Sequence, residues 1–248
     1  MNEILGQAYH QATLCAAGLF GISPVYLIII GGTMLLSFLV SNTLKRRFAE
    51  HSHVPVPFTG REIAETMLRE NGISDVRVVS VPGRLTDHYD PIKKTVNLSE
   101  PVYQMNSVAA AAVAAHECGH AVQHQQAYRW LTLRSKMVPA VSVANKTLNV
   151  LMMLFIVGFF ISKSPIMIWV LIACLAATTA FSLVTLPVEF DASKRALAWL
   201  EGSVTGRRME HERAKNALFW AAMTYVVGAL SSVAMLVYWL SIALGRRD

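Results

Sequence analysis

Ser107-Val108-Ala109-Ala110-Ala111-Ala112-Val113-Ala114-Ala115-His116-Glu117-Cys118-Gly119-His120 is the stretch from which the architecture can be read. Alanine is the strongest helix former and serine a favoured N-cap, so the sequence predicts a helix opening at Ser107 and running through His120. Residues four apart on a helix are separated by about 400° of rotation, so His116 and His120 leave one face with imidazoles close enough to share a cation. Glu117 stands beside the first of them, in the HExxH spacing of a zinc site whose glutamate acts as general base. A purely structural zinc site normally closes with four ligands, often cysteines, and has no use for that carboxylate. Gly119 and Ala121 leave room for another element to pack closely. His124, one turn further on, reads as a surface or supporting residue, because HExxH sites take their third ligand from a separate element.

Around this helix the composition is that of a bilayer protein. Hydrophobic residues make up 54% of the 248-residue chain and charged residues 15%, against roughly 25% charged in a soluble domain. Apolar runs near 22–41, 147–162, 166–187 and 217–244 approach or reach the roughly 20 residues a helix needs to cross, which predicts about four spans. The net charge of +6 comes from basic residues that flank these runs and are not interleaved with aromatics. Lys45, Arg46 and Arg47 follow the first run, and Lys194, Arg195, Arg207, Arg208, Arg213 and Lys215 lie between the third and fourth. This is the pattern of membrane topology, not of a nucleic-acid surface. Cys15, Cys118 and Cys174 show no CxxC pairing, and reduced thiols are expected. No basic segment precedes the first run, so it is expected to stay as an anchor.

Basic residues after the first run put the N-terminus outside and residues 45–140 in the cytoplasm. The expected organisation is then an N-terminal segment and first span over 1–44, a cytoplasmic domain over 45–140, and second and third spans over 141–187 joined outside near Ser162 to Pro165. A cytoplasmic helix over 188–215 and a fourth span over 216–248 complete it. One detail conflicts with charge asymmetry: a fourth span leaves Arg246 and Arg247 outside.

The cytoplasmic part reads as a small α+β unit. Thr59 and Glu62 have capping-box spacing, and Ile63, Ala64, Met67 and Leu68 repeat at helical period until Asn71-Gly72. Val76 to Val81 is rich in β-branched residues and reads as a strand, while Thr86–Asp90 and Lys94–Leu98 flank Pro91 and could pair as a hairpin. A third ligand is expected from Glu189, just past Pro187 and on the same side of the membrane as the histidines. Asp191, about 200° further round a helix, would not share the metal easily and suits a hydrogen bond to a ligand histidine. Acidic residues favoured at a helix start are the alternative account of both. His88 or Tyr89 could stabilise an oxyanion, although a turn before Pro91 in which Asp90 bonds backbone is the favoured reading of that segment. His211 is a second possible donor.

The segments Leu85-Thr86-Asp87-His88-Tyr89-Asp90-Pro91, Ser107 to Gln123 ending AAHECGHAVQ, and Leu186-Pro187-Val188-Glu189-Phe190-Asp191-Ala192-Ser193 resemble the YugP-like bacterial neutral zinc metallopeptidases, in the same order over nearly the whole chain. More distantly they are similar to the HtpX-type and CAAX prenyl proteases. The resemblance implies His116, His120 and Glu189 as zinc ligands, Glu117 as base, and one Zn2+ per chain. The expected protein is mainly α, with about four transmembrane helices and a small cytoplasmic α+β domain of zincin-like, gluzincin type. It would sit in the bacterial cytoplasmic (inner) membrane, contacting lipid and a peptide or protein substrate but no nucleic acid. The expected function is a membrane-bound endopeptidase acting on membrane or misfolded proteins at the cytoplasmic face. The alternative is a noncatalytic zinc-binding scaffold in protein quality control. A metal transporter is disfavoured, because apart from Lys146 near one end the apolar runs carry almost no polar groups.

Overall fold

A computed structural model describes residues 23–156, 165–203 and 211–245. Three helices among them are long and apolar enough to cross a bilayer: α1 (Pro24–Ser52), α6 (Pro165–Gly202) and α7 (His211–Gly245). Pro24 opens α1, where its missing N–H costs nothing. Large apolar side chains such as Ile28, Phe38, Ile166 and Val237 point outward from these helices, which only a lipid environment makes favourable. The expected second span, 147–162, begins in the last part of α5 (Arg129–Ile156). Its remainder, the loop to Pro165, and Arg246 and Arg247 lie outside the described residues, as do Cys15, Arg207 and Arg208. The long helices pack as a row in the order α5–α6–α7–α1.

Between α1 and α5 comes the smaller unit: α2 (Gly60–Glu70), β1 (Arg77–Val81), β2 (His88–Asp90), β3 (Thr95–Ser99), α3 (Glu100–Gln104) and α4 (Val108–Gln125). The capping box forms: the Thr59 hydroxyl accepts from the Glu62 amide at 3.2 Å and the Glu62 carboxylate accepts from the Thr59 amide at 2.8 Å. Ile63, Ala64, Met67 and Leu68 are buried, and Gly72, at φ +69°, turns the chain out of the helix where a side chain would be strained. The sheet order is β1-β3-β2, with β1 parallel and β2 antiparallel to β3. The expected hairpin is therefore β2–β3. Its turn is set by Asp90, whose Oδ1 accepts from the amides of Ile92 and Lys93 at 2.9 and 3.0 Å. β3 is central and buried along its whole length.

The motif helix α4 is capped as expected, the Ser107 hydroxyl accepting from the Ala110 amide at 3.2 Å. Its alanines do more than favour helix: Ala109 to Ala112, Ala114 and Ala115 are all buried, because α4 packs against α2, α6 and α7. Small side chains let three helices approach one axis at once.

Residues 188–202 do not form a separate cytoplasmic helix after a span ending at Pro187. A single helix runs from Pro165 to Gly202 with Pro187 inside it. Proline removes the bond to the Leu183 carbonyl, but Val188, Ala192, Ala196 and Leu200, spaced four apart, are all fully buried, and that packing holds the helix through the break. At 1.5 Å per residue α6 is about 57 Å long, nearly twice the roughly 30 Å hydrocarbon core, so it is longer than a crossing requires.

A Cβ on Gly60 would come within 2.1 Å of the Val102 carbonyl oxygen of α3. Gly60→Ala should therefore push α2 off α3 and cost about 1–3 kcal/mol, with Thr59→Ala costing about 1 kcal/mol through the lost cap. Denaturation of the detergent-solubilised protein reads both, and unchanged midpoints would show that α2 does not anchor this unit.

Candidate metal and peptidase site

Three side chains from two helices converge. His116 and His120 project from α4, with ring centroids 4.9 Å apart, and α6 delivers Glu189 to them. Glu189 Oε2 lies 3.3 Å from His116 Nε2 and 3.7 Å from His120 Nε2, and one ligand atom from each of the three falls within 4.8 Å of the others. What lets α6 come so near is Gly119. A Cβ there would meet the Ala192 carbonyl oxygen at 2.6 Å and its Cα at 3.2 Å, so the two helices touch backbone to backbone one turn from the ligands.

The remaining nitrogen of each imidazole is already engaged. The Ser193 hydroxyl is 3.1 Å from His116 Nδ1, and Gln123 Oε1 is 3.0 Å from His120 Nδ1. The amide of Gln123 cannot be turned round, because its Nε2 donates to the Val188 carbonyl and to Asp191 Oδ2, both at 2.8 Å. Gln123 Oε1 is thus an acceptor, His120 carries its proton on Nδ1, and its Nε2 lone pair is free for a cation.

The polar atoms that this donor set leaves open suit zinc. Glu189 Oε2 is buried and has no hydrogen-bond partner, although it faces two imidazole nitrogens. A buried carboxylate oxygen in that state is costly unless a cation completes it. Burial pulls His120 down, but the Glu189 carboxylate beside it outweighs burial and leaves His120 raised, so the pocket draws positive charge. Two imidazole nitrogens and a carboxylate oxygen, with an open fourth position, are the donors of a catalytic zinc site. The residues fit the metal.

Glu117 is buried beside the triad and lines the same cavity, of about 860 Å³. Burial pushes its carboxyl up, against the lowering pull of His116 and His120, which makes it a stronger base. Cys118 points the other way, its thiol near the Ala64 carbonyl at 3.5 Å. It is a free, buried thiol that burial and the Glu117 charge raise further, so it is an inert core residue.

Residues 26–244 match the family described as "Putative neutral zinc metallopeptidase". The chain is also 41% identical to "Putative membrane protease YugP" of Bacillus subtilis (strain 168) over 215 residues, 86% of this chain and 94% of that relative. The chain belongs to this metallopeptidase family. No solved structure matches it.

Within this family member the other sequence candidates separate. Asp191 does not bond a ligand histidine itself. It accepts from Gln123 and, at 2.5 Å, from Arg195, and Gln123 carries the contact to His120. His88 and Tyr89 line the cavity, but the Tyr89 hydroxyl is tied to His124 Nδ1 at 2.8 Å and His88 Nδ1 to the Thr86 carbonyl at 2.7 Å. Burial, then Asp75 and Asp90, push the Tyr89 phenol up to about 12, so it stays protonated. His211 opens α7 and is not among the cavity's lining residues. Two cavity residues were missed in the sequence. Arg134 of α5 has Nη1 3.9 Å from Glu189 Oε1, and Tyr225 of α7 faces the same carboxylate. Neither carries a local motif. Gln123 and Ser193 were legible in principle, lying three and four residues from His120 and Glu189 on the same helix faces.

Gly119→Ala should force α4 and α6 apart and weaken zinc binding by more than tenfold. Gln123→Leu, which frees the His120 ring, should lower affinity about 10–100-fold. Competition against a chelating dye measures both. Wild-type affinity in Gly119→Ala would mean that the helix contact does not set the ligand spacing.

Proposed function

We propose that the chain is a zinc-dependent endopeptidase of the bacterial cytoplasmic (inner) membrane, hydrolysing peptide bonds of membrane or misfolded proteins at the cytoplasmic face. The observation that carries this is the His116, His120 and Glu189 cluster standing beside Glu117 at the wall of an open cavity. One zinc per chain is held by those three side chains, in a small α+β domain of gluzincin type. The apolar sequence of 147–162 supports one span more than α1, α6 and α7, and Lys45, Arg46 and Arg47 at the end of α1 support an outside N-terminus and a cytoplasmic site. Lipid and the peptide substrate are its partners.

Zinc at this position would supply a Lewis acid that polarises the scissile carbonyl and acidifies water. The chain's own residues do the rest. Ser193 and Gln123 fix the two imidazole rings, and Arg134 holds the outer oxygen of Glu189 by charge. Glu117 takes a proton from the attacking water as its oxygen bonds the carbonyl carbon. It then passes that proton to the amine nitrogen as the C–N bond breaks.

Glu117→Gln should keep its zinc and lower cleavage of a casein-like substrate by about 10²–10⁴-fold, while His116→Ala should lose the metal. Peptide turnover and metal analysis of the same preparations check both. Turnover retained in Glu117→Gln, or zinc retained in His116→Ala, would overturn the assignment.

A further inference from the structure

The cavity does not end at the ligands. Along α6 it reaches from Glu189 back to Phe181, eight residues and about 12 Å of helix. Phe181 lies within the apolar run of α6 and Glu189 beyond it. Arg134 of α5 stacks over the Phe181 ring, 5.8 Å from its centroid, so α5 stands alongside α6 at that depth. The same wall carries Leu131 and Val138 of α5. Val138 is 50% exposed and marks an apolar lip at the mouth of the cavity. Ile92, 93% exposed, follows β2 and also lines the cavity. Among the described residues the four long helices form a row, with α5 at one end of it. One cavity thus runs from Phe181, inside the apolar run of α6, to the Glu117 carboxylate.

A cavity that begins at Phe181 of a candidate membrane span, passes Arg134 and Lys136 of α5, and ends at a polar reaction centre suits one occupant: a polypeptide anchored in the same bilayer. We propose that the cleft receives the stretch of a substrate chain that emerges from its own transmembrane anchor. The end of the anchor lies against Leu131, Val138 and Phe181, and the extended chain passes over Glu117 toward His88 and Tyr89. This rests on the peptidase reading and names its substrate class. It also fixes a length. An extended chain rises about 3.3 Å per residue, so the 12 Å from Phe181 to Glu189 corresponds to about four residues between the anchor and the scissile bond.

The test uses the full-length zinc-loaded protein in phosphatidylcholine–phosphatidylglycerol vesicles. One peptide carries a 20-residue Leu/Ala anchor followed by a uniform Gly/Ser/Ala spacer, and another is the spacer alone. The anchored peptide should be cut at least tenfold faster, with products clustering about four residues from the anchor. Moving the anchor two residues along the sequence should move the cut with it. Phe181→Ser should bring the ratio of anchored to free cleavage towards one. Independently of turnover, a photoreactive group at the anchor end should crosslink to α5 or α6 in the Glu117→Gln variant. Equal cleavage of both peptides, or a cut that ignores the anchor, overturns the inference while leaving the peptidase intact. Cleavage of neither peptide, nor of casein, removes both.

Discussion

The backbone contact between Gly119 and Ala192 is the constraint on which the centre depends. Two histidines on a helix are only two-thirds of a ligand set, and the third must come from an element free to lie elsewhere. The absence of a side chain at Gly119 lets α6 approach until the Ala192 carbonyl sits where a Cβ would be. At that distance the antiparallel crossing brings Ser193 to His116, Glu189 between the two imidazoles, and the Val188 carbonyl to Gln123. Four interactions then share one registry. A shift of α6 by a single residue would rotate Glu189 by about 100° away from the histidines.

The alanine run serves the same end. An amphipathic α4 would pack on one side, whereas this helix is buried nearly all round, between α2, α6 and α7. The two carboxylates and two imidazoles are therefore held largely buried, at the wall of the cavity. There each hydrogen bond and charge counts for more than at a surface. The cost is an oxygen of Glu189 that no protein donor satisfies, a local violation of packing rules of the kind that functional sites carry.

The parts of this protein written as local pattern were legible in the sequence. The capping box at Thr59, the Ser107 cap, the β2–β3 hairpin around Pro91 and the i, i+4 histidines each depend on residues within a few positions of one another. Glu189 was reachable because hydropathy placed it on the same membrane side as α4. What sequence did not yield depended on packing between distant elements. Pro187 reads as a helix end, and only the buried stripe from Val188 to Leu200 against α4 carries the helix past it. Arg134 and Tyr225 carry no motif, since they reach Glu189 from α5 and α7 solely because those helices flank α6. Asp191 was expected one contact too close, because the intervening Gln123 bridges to it from a helix 68 residues away.

The unbroken course of α6 has a mechanical meaning. The histidines belong to α4 of the small unit, but Glu189 belongs to a rod that is long and apolar enough to cross a bilayer. Membrane thickness acts on such a rod through tilt, the usual response of a long apolar segment to mismatch. With the Gly119–Ala192 contact as fulcrum, a change in tilt becomes a displacement of one ligand against the other two. The spacing of His116, His120 and Glu189 is in this sense tied to how a helix long enough to cross a membrane lies.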